Sequence, residues 1–326
     1  MAAGCVIGVD LGGTKLLAGV VDSGLNVRHR AYRHARESGS TEALIALLVE
    51  AVEQARDAAG EEIRAVGFGI PSLVDAATGV AGTTVHLPLQ DVPFRDLMAE
   101  RLGVPVAVDN DANAAMVAEH RHGAARGART AALLTLGTGI GGALLVDGRL
   151  VHGASGAAGE WGHMVVDLDG APCHGSCPNR GCLETVVSGT ALGKAGRRAA
   201  EDRPESGLGR ALASGREITG ALVTELAHDG DEVARDVLAA MGRHLGVGLA
   251  NVVNILNPEV VVVGGGVLAA GDLLLEPARR TVAERALAPS RDQVRIVPTR
   301  FGDASGMIGA ALLAMDLADG VSERAA

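Results

Sequence analysis

The sequence predicts an α/β fold of two related, sheet-centred domains with a cleft between them. An internal echo carries this most directly. Residues 6–24 read VIGVDLGGTKLLAGVVDSG, and residues 132–148 read ALLTLGTGIGGALLVDG. Each is an apolar run, a Gly/Thr turn, a second apolar run and then Asp and Gly, the pattern of a β-hairpin around a loop built for close contact. The alignment of Asp10-Leu11-Gly12-Gly13 with Thr135-Leu136-Gly137-Thr138 makes the two halves related. After each hairpin, apolar runs of strand length alternate with helical periodicity. The chain of 326 residues is long enough for two domains and a large core.

The elements follow in order. Ile63–Ile70 and Val104–Asp109 read as strands around helical stretches at 41–58 and 111–122. In the second half, Val260–Val263 and Val294–Pro298 read as strands, and 231–256 as a long helix. Residues 201–217 are polar and contain glycine, which predicts a mobile connection or lid edge. Aromatics are only 2% of the residues, so the core is expected to be Ala, Val, Leu and Ile.

Charge and segment length exclude several classes. A net charge of −10 argues against nucleic acid or an anionic membrane as partner. Asp10 interrupts the first apolar run, so no secretory signal is expected, and no stretch is long and apolar enough to span a bilayer. Three of the four cysteines fall within ten residues, which suggests metal ligation in a reducing cytoplasm and not disulfides.

That cluster is the most specific chemical signal. Cys173, Cys177 and Cys182, with His163 upstream, supply the four N/S ligands of a tetrahedral zinc site. The Gly-, Pro- and Asn-rich run around them can wrap an ion. Four protein ligands leave no open position, so this zinc would be structural. His174, between the cysteines, is the rival ligand to Cys173. Glu160 in GEWGH and Glu184 in GCLE flank the cluster and suggest a polar substrate pocket.

Three glycine-rich loops point to a polyphosphate ligand. In DLGGTK, Gly12 and Gly13 let backbone N–H groups approach an anion, Thr14 adds a donor, Lys15 follows, and Asp10 could hold Mg²⁺ through water. The simpler reading is an ordinary glycine hairpin; the second loop, Gly137-Thr138-Gly139 in LGTGIGG, favours the functional one. Gly264, Gly265 and Gly266 after an apolar strand exceed what one tight turn needs and favour the approach of a flat nucleobase. In VDNDANAA, one helix cap needs only one Asn or Asp. Asp109, Asn110, Asp111 and Asn113 crowd there, and a carboxylate at a strand's C-terminal end is well placed as a general base. His86, His152, His120 and His122 read as surface or pocket-edge residues, and the basic stretch Arg121–Arg129 as a solvated helix end.

Together, DLGGTK, the turn Gly69-Ile70-Pro71, VDNDAN, LGTGIGG, GEWGH, the cysteine run with GCLE, and VVGGG resemble the ROK family of sugar kinases, repressors and related proteins. The motifs occur in family order and cover nearly the whole chain. The resemblance implies an actin-like, ribonuclease-H-like ATPase fold. The first domain would be 1–115, completed by a C-terminal helix at 304–326. The second would be 116–303, with a zinc-binding insert at 160–184. It also implies ATP-dependent phosphorylation of a hexose at the 6-hydroxyl, with glucose the leading substrate. Mannose, fructose or an N-acetylhexosamine are alternatives, as is a non-catalytic sugar sensor.

Carried over by position, Asp111 is the catalytic base. Pro71, His86, Asn110, Glu160, His163 and Glu184 line the sugar. Asp10, Gly12, Gly13, Thr14, Lys15, Gly137, Thr138 and Gly139 hold ATP phosphates with Mg²⁺, and Gly264–Gly266 lie near adenosine. The chain departs from the family in three places. Cys173 and Cys177 are two residues further apart than usual, Ser72 stands where Gly is common, and His86-Leu87-Pro88 replaces Asn-Leu-Pro. Family repressors carry an N-terminal DNA-reading domain; here the first strand is expected within five residues of Met1, so no nucleic-acid partner is expected. A cytoplasmic homo-oligomer, dimer or tetramer, completes the expectation.

Overall fold

A computed structural model describes residues 4–13, 15–34, 39–82, 84, 87–175 and 177–321. The first half runs β1 (Cys5–Leu11), β2 (Lys15–Val21), β3 (Val27–His34), α1 (Thr41–Ala59), β4 (Ile63–Ile70), α2 (Phe94–Leu102), β5 (Val106–Asn110) and α3 (Asp111–His122). The second hairpin is β6 (Ala131–Leu136) and β7 (Ile140–Val146), followed by the short β8 (Arg149–Leu150). Then come α4 (Gly189–Asp202), α5 (Gly207–Ala213), α6 (Gly220–His228) and α7 (Glu232–Leu256). The chain ends with β9 (Val260–Gly264), α8 (Asp272–Arg285), α9 (Ser290–Gln293), β10 (Arg295–Pro298) and α10 (Ser305–Ala318).

The strands form two five-stranded sheets of one topology. The first has the order β3-β2-β1-β4-β5 and the second β8-β7-β6-β9-β10. β1 pairs antiparallel with β2 and parallel with β4, and β4 pairs parallel with β5. In the second sheet β6 and β10 flank β9 in parallel. The internal echo in the sequence is therefore a repeat of the fold, since both copies of the hairpin open the same order. The repeated mixed sheets, with helices between their parallel strands, give the actin-like α/β fold.

The chain divides into two compact units: Met1–Arg129 with Ala143–Gly159 and Thr299–Ala326, and Thr130–Gly142 with Glu160–Pro298. In the first, β1, β2 and β4 bury Ile7, Val9, Leu16, Val66 and Phe68 against Leu44, Ile45 and Leu48 of α1. The other face of this sheet receives α10. A Cβ on Gly67 would overlap the Ala310 carbonyl, so only glycine lets helix and strand touch at backbone distance. In the second unit, the apolar faces of α4, α6, α7 and α8 close over β6 and β9, with Leu238, Leu245, Leu249 and Val261 fully buried.

The expected strands and helices stand within about two residues of their positions. Residues 201–217 differ from the sequence reading. They contain α5, whose N-cap Ser206 accepts from Gly209 N and which buries Leu208 and Ala211. A side-chain cap and an apolar face seated in the core outweigh a polar composition. β3 is an element that the sequence reading does not contain. Its VRHRAYRH is an edge strand with only Ala31 buried, so it lacks an apolar run. Among the described residues, no helix is long and apolar enough to cross a membrane.

Candidate functional site

In the first unit, the β1–β2 turn is narrow: Gly12 N donates to Lys15 O at 2.7 Å. The Lys15 ammonium lies 6.0 Å above the Tyr32 ring. Thr14 and His86 lie outside the described residues. Asp10 lies near the end of β1. Burial, and then the neighbouring Asp111 and Asp303 carboxylates, push its carboxyl up to about 8. α10 begins directly against it, and a Cβ on Gly306 would stand 2.5 Å from the Asp10 carboxylate carbon. Asp111 and Asp303 thus lie near Asp10 at the start of α10, and their charges disfavour ionisation of its carboxyl.

The β5–α3 corner carries the dense Asp/Asn run. Asn110 is the N-cap of α3: its Oδ1 accepts from Ala112 N at 2.9 Å and Asn113 N at 3.3 Å. Its Nδ2 donates to Ser72 O at 3.3 Å, which ties the corner to the segment after Pro71. Asp111 Oδ1 accepts from Ala112 N at 2.8 Å. Asp109 is buried, and both its oxygens are engaged. Oδ1 accepts from Asn110 N at 2.7 Å and Asn113 Nδ2 at 2.9 Å, and Oδ2 lies 2.7 Å from His152 Nε2. His152, read from sequence as a surface or pocket-edge residue, reaches a buried carboxylate.

Glu119 is a residue that sequence reasoning does not single out. It lies on α3, is fully buried, and accepts from Ala124 N, Arg300 N, Phe301 N and Ser305 Oγ at 2.8–3.1 Å. It stitches the end of α3 to the segment that delivers Asp303 and Gly306 to Asp10. No local pattern announces a partner about 180 residues away in the chain.

In the second unit, the ligand atoms of His163, Cys173, Cys177 and Cys182 all lie within 4.8 Å of one another. Cys177 Sγ and Cys182 Sγ are 3.9 Å apart, and Cys173 Sγ and His163 Nδ1 are 3.5 Å apart. The edges of a tetrahedron with Zn–S bonds of about 2.3 Å are about 3.8 Å long, so the donor set fits zinc in both chemistry and spacing. Burial, with the neighbouring thiols, pushes the Cys182 thiol up to about 12. A divalent cation would reverse that preference by binding the thiolate. His174 stands outside the cluster. Its Nδ1 is 3.8 Å from Glu184 Oε1 and its Nε2 is 3.3 Å from Lys194 Nζ.

His163 turns its other nitrogen, Nε2, toward Glu160 Oε2 at 3.8 Å. Burial raises the Glu160 carboxyl, His163 opposes this, and the Glu184 charge adds to it. Glu184 Oε2 accepts from Ile140 N at 2.7 Å, directly in the LGTGIGG loop. That loop is closed by Gly137 N donating to Gly139 O at 2.9 Å. Gly264 ends β9, and Gly265 has φ +86° and packs on the Leu136 backbone, where a Cβ would stand 2.5 Å from Leu136 N. Gly266 faces open space and starts a 3-10 turn, Gly266–Ala270, and α8 begins at Asp272.

The chain as a whole is similar to known proteins. The glucokinase of Streptomyces coelicolor is 34% identical over 320 residues, covering 96% of this chain and 98% of that protein. The crystal structure of a ROK family glucokinase from Streptomyces griseus in complex with glucose and AMPPNP superposes with a TM-score of 0.88 at 33% identity. It covers 96% of this chain and 100% of that one. A xylose repressor of Caldicellulosiruptor bescii is 29% identical, over 98% of this chain and 79% of its own length. The ROK family model matches residues 6–317. With this match and a glucokinase relative above 30% identity along almost its full length, the chain belongs to the ROK family.

Proposed function

We propose that this chain is an ATP-dependent hexose kinase that converts glucose to glucose 6-phosphate. The likeness to glucokinases along nearly its whole length carries the reading, above all to one whose structure holds glucose and a nucleotide analogue. Asp111, at the N-terminus of α3, takes the proton from the sugar 6-hydroxyl as that oxygen attacks the γ-phosphorus. The bond to the β–γ bridging oxygen breaks and ADP leaves. Asn110, Glu160, His163 and Glu184 hydrogen-bond the sugar hydroxyls, with Pro71 and His86 beside them. The amides of the DLGGTK and LGTGIGG loops hold the phosphates, Lys15 and Thr14 assist, and Gly264–Gly266 border the adenosine. Asp10 would hold, through water, a magnesium ion bound with ATP, which would neutralise charge that develops on the phosphates, the main lever in phosphoryl transfer.

Zinc on His163, Cys173, Cys177 and Cys182 would be structural, fixing the tautomer of His163 so that Nε2 faces Glu160 and the sugar. The protein would work in the cytoplasm as a homo-oligomer. A sugar sensor without turnover is the second reading, favoured by the match to the xylose repressor. A coupled ADP-release assay over a panel of hexoses, with ATP or polyphosphate as donor, separates the readings. The kinase reading predicts turnover with glucose and ATP. Sugar binding without ADP release for any hexose would leave the sensor.

A further inference from the structure

One continuous stretch, Cys182–Thr190, touches both the cysteine cluster and the LGTGIGG loop, and we propose that it is a strap that positions the loop for the donor phosphates. Cys182 begins the strap inside the four-residue cluster. Two residues on, Glu184 Oε2 accepts from Ile140 N at 2.7 Å. Its carboxylate fills the space where a Cβ on Gly139 would sit, so the loop closes onto this side chain. At the far end, Gly189 N donates to Gly137 O at 2.7 Å, and Thr190 Oγ1 donates to Thr138 O at 2.9 Å. Gly162 wedges against Ile140 and Glu184 from the other side: a Cβ there would stand 2.9 Å from Ile140 Cβ.

The strap therefore takes up backbone groups of the loop at Gly137, Thr138 and Ile140. A loop that grips phosphates through amides must hold those amides aimed before the ligand arrives. Gly137, Thr138 and Gly139 cannot do this alone, because glycine-rich backbone is conformationally loose. The strap supplies the missing constraint, and it starts at a residue of the His/Cys cluster. The cysteine cluster thus acts on the nucleotide end of the reaction as well as on the sugar end. Glu184 has two tasks, one on the loop amide and one on the sugar. Thr190 is a positioning residue that acts through Thr138 O.

The inference rests on the ATP-dependent reading, but hydrogen exchange tests it independently. Four variants are compared in the zinc-loaded protein: Thr190→Val, Thr190→Ser, Glu184→Ala and Glu184→Gln. Amide exchange is followed in peptides spanning 136–142, and KM is measured for ATP and glucose. Thr190→Val removes one hydrogen bond, so KM for ATP should rise about 3- to 10-fold with KM for glucose within about twofold. Thr190→Ser should restore it. Glu184→Ala should speed loop exchange and raise both KM values. Glu184→Gln keeps an acceptor for Ile140 N, so it should raise KM for glucose while the loop stays protected. Stripping the metal with a chelator should speed exchange in the same peptides. Unchanged loop exchange in both Thr190→Val and Glu184→Ala would overturn the strap, even if the wild type proves a kinase. A wild type without ATP turnover but with the expected exchange pattern would overturn the kinase reading alone.

Discussion

His152 Nε2 lies 2.7 Å from Asp109 Oδ2, a contact that joins the loop after β8 to the strand end that presents Asn110 and Asp111. The other Asp109 oxygen is taken by Asn110 N and Asn113 Nδ2. A buried carboxylate must have its lone pairs satisfied, and His152 completes the set. The result is a corner held from behind, with Asp111 at its tip.

The first prediction tests that corner. His152→Ala leaves Asp109 short of a partner and loosens the turn that aims Asp111. We expect kcat to fall about 10-fold, with KM for glucose within about twofold, since hydrogen bonds to charged groups are worth about 1.5–3 kcal/mol. His152→Gln keeps a donor in reach and should recover most of the loss. An alanine variant with wild-type kcat would remove His152 from the machinery.

A second prediction concerns Asp10. Burial and two neighbouring carboxylates raise its carboxyl from 3.8 to about 8. Across that window the folded chain holds a proton that the unfolded chain has lost. Stability therefore falls as pH rises through it. Asp10→Asn cannot ionise, so its unliganded Tm should exceed that of the wild type at the alkaline end and converge with it at the acid end. Its phosphoryl transfer should be impaired despite the gain in stability. A Tm difference that does not depend on pH would contradict the assignment.

The third concerns the cysteine cluster. We expect one zinc per chain by metal analysis of purified protein. Structural zinc is worth about 10–16 kcal/mol in small peptides, so Cys177→Ala and Cys182→Ala should lose the metal and much of the fold. Cys173→Ala should also lose it, whereas His174→Ala should retain it, because His174 faces Glu184 and Lys194. Full activity in metal-free protein, or loss of zinc in His174→Ala alone, would refute the ligand set.

What is legible in the sequence is what is local. Apolar runs such as Ile63–Ile70 and Val260–Val263 announce buried parallel strands because both faces are covered. Cys173, Cys177 and Cys182 announce themselves because their spacing is short. The rest depends on partners distant in the chain. Asp109 meets His152 across 43 positions, and Glu119 meets Ser305 across 186. Neither pair leaves a periodic trace. Asn110 shows the reverse limit. Its capping of α3 is the simpler of the two roles the sequence allows, and the geometry commits its Oδ1 to it. β3 escapes a sequence reading because an exposed edge strand has no apolar run.

The central claim is that Asp111 accepts the proton in an ATP-dependent transfer to glucose, and Asp111→Asn tests it most directly. Asparagine keeps the size and the local hydrogen bond to Ala112 N but cannot accept the proton. With saturating glucose and ATP, initial rates of ADP release should show kcat lower by about 10²- to 10⁴-fold, the usual weight of general-base catalysis, with glucose binding by calorimetry largely kept. A variant that turns over at the wild-type rate would contradict the account.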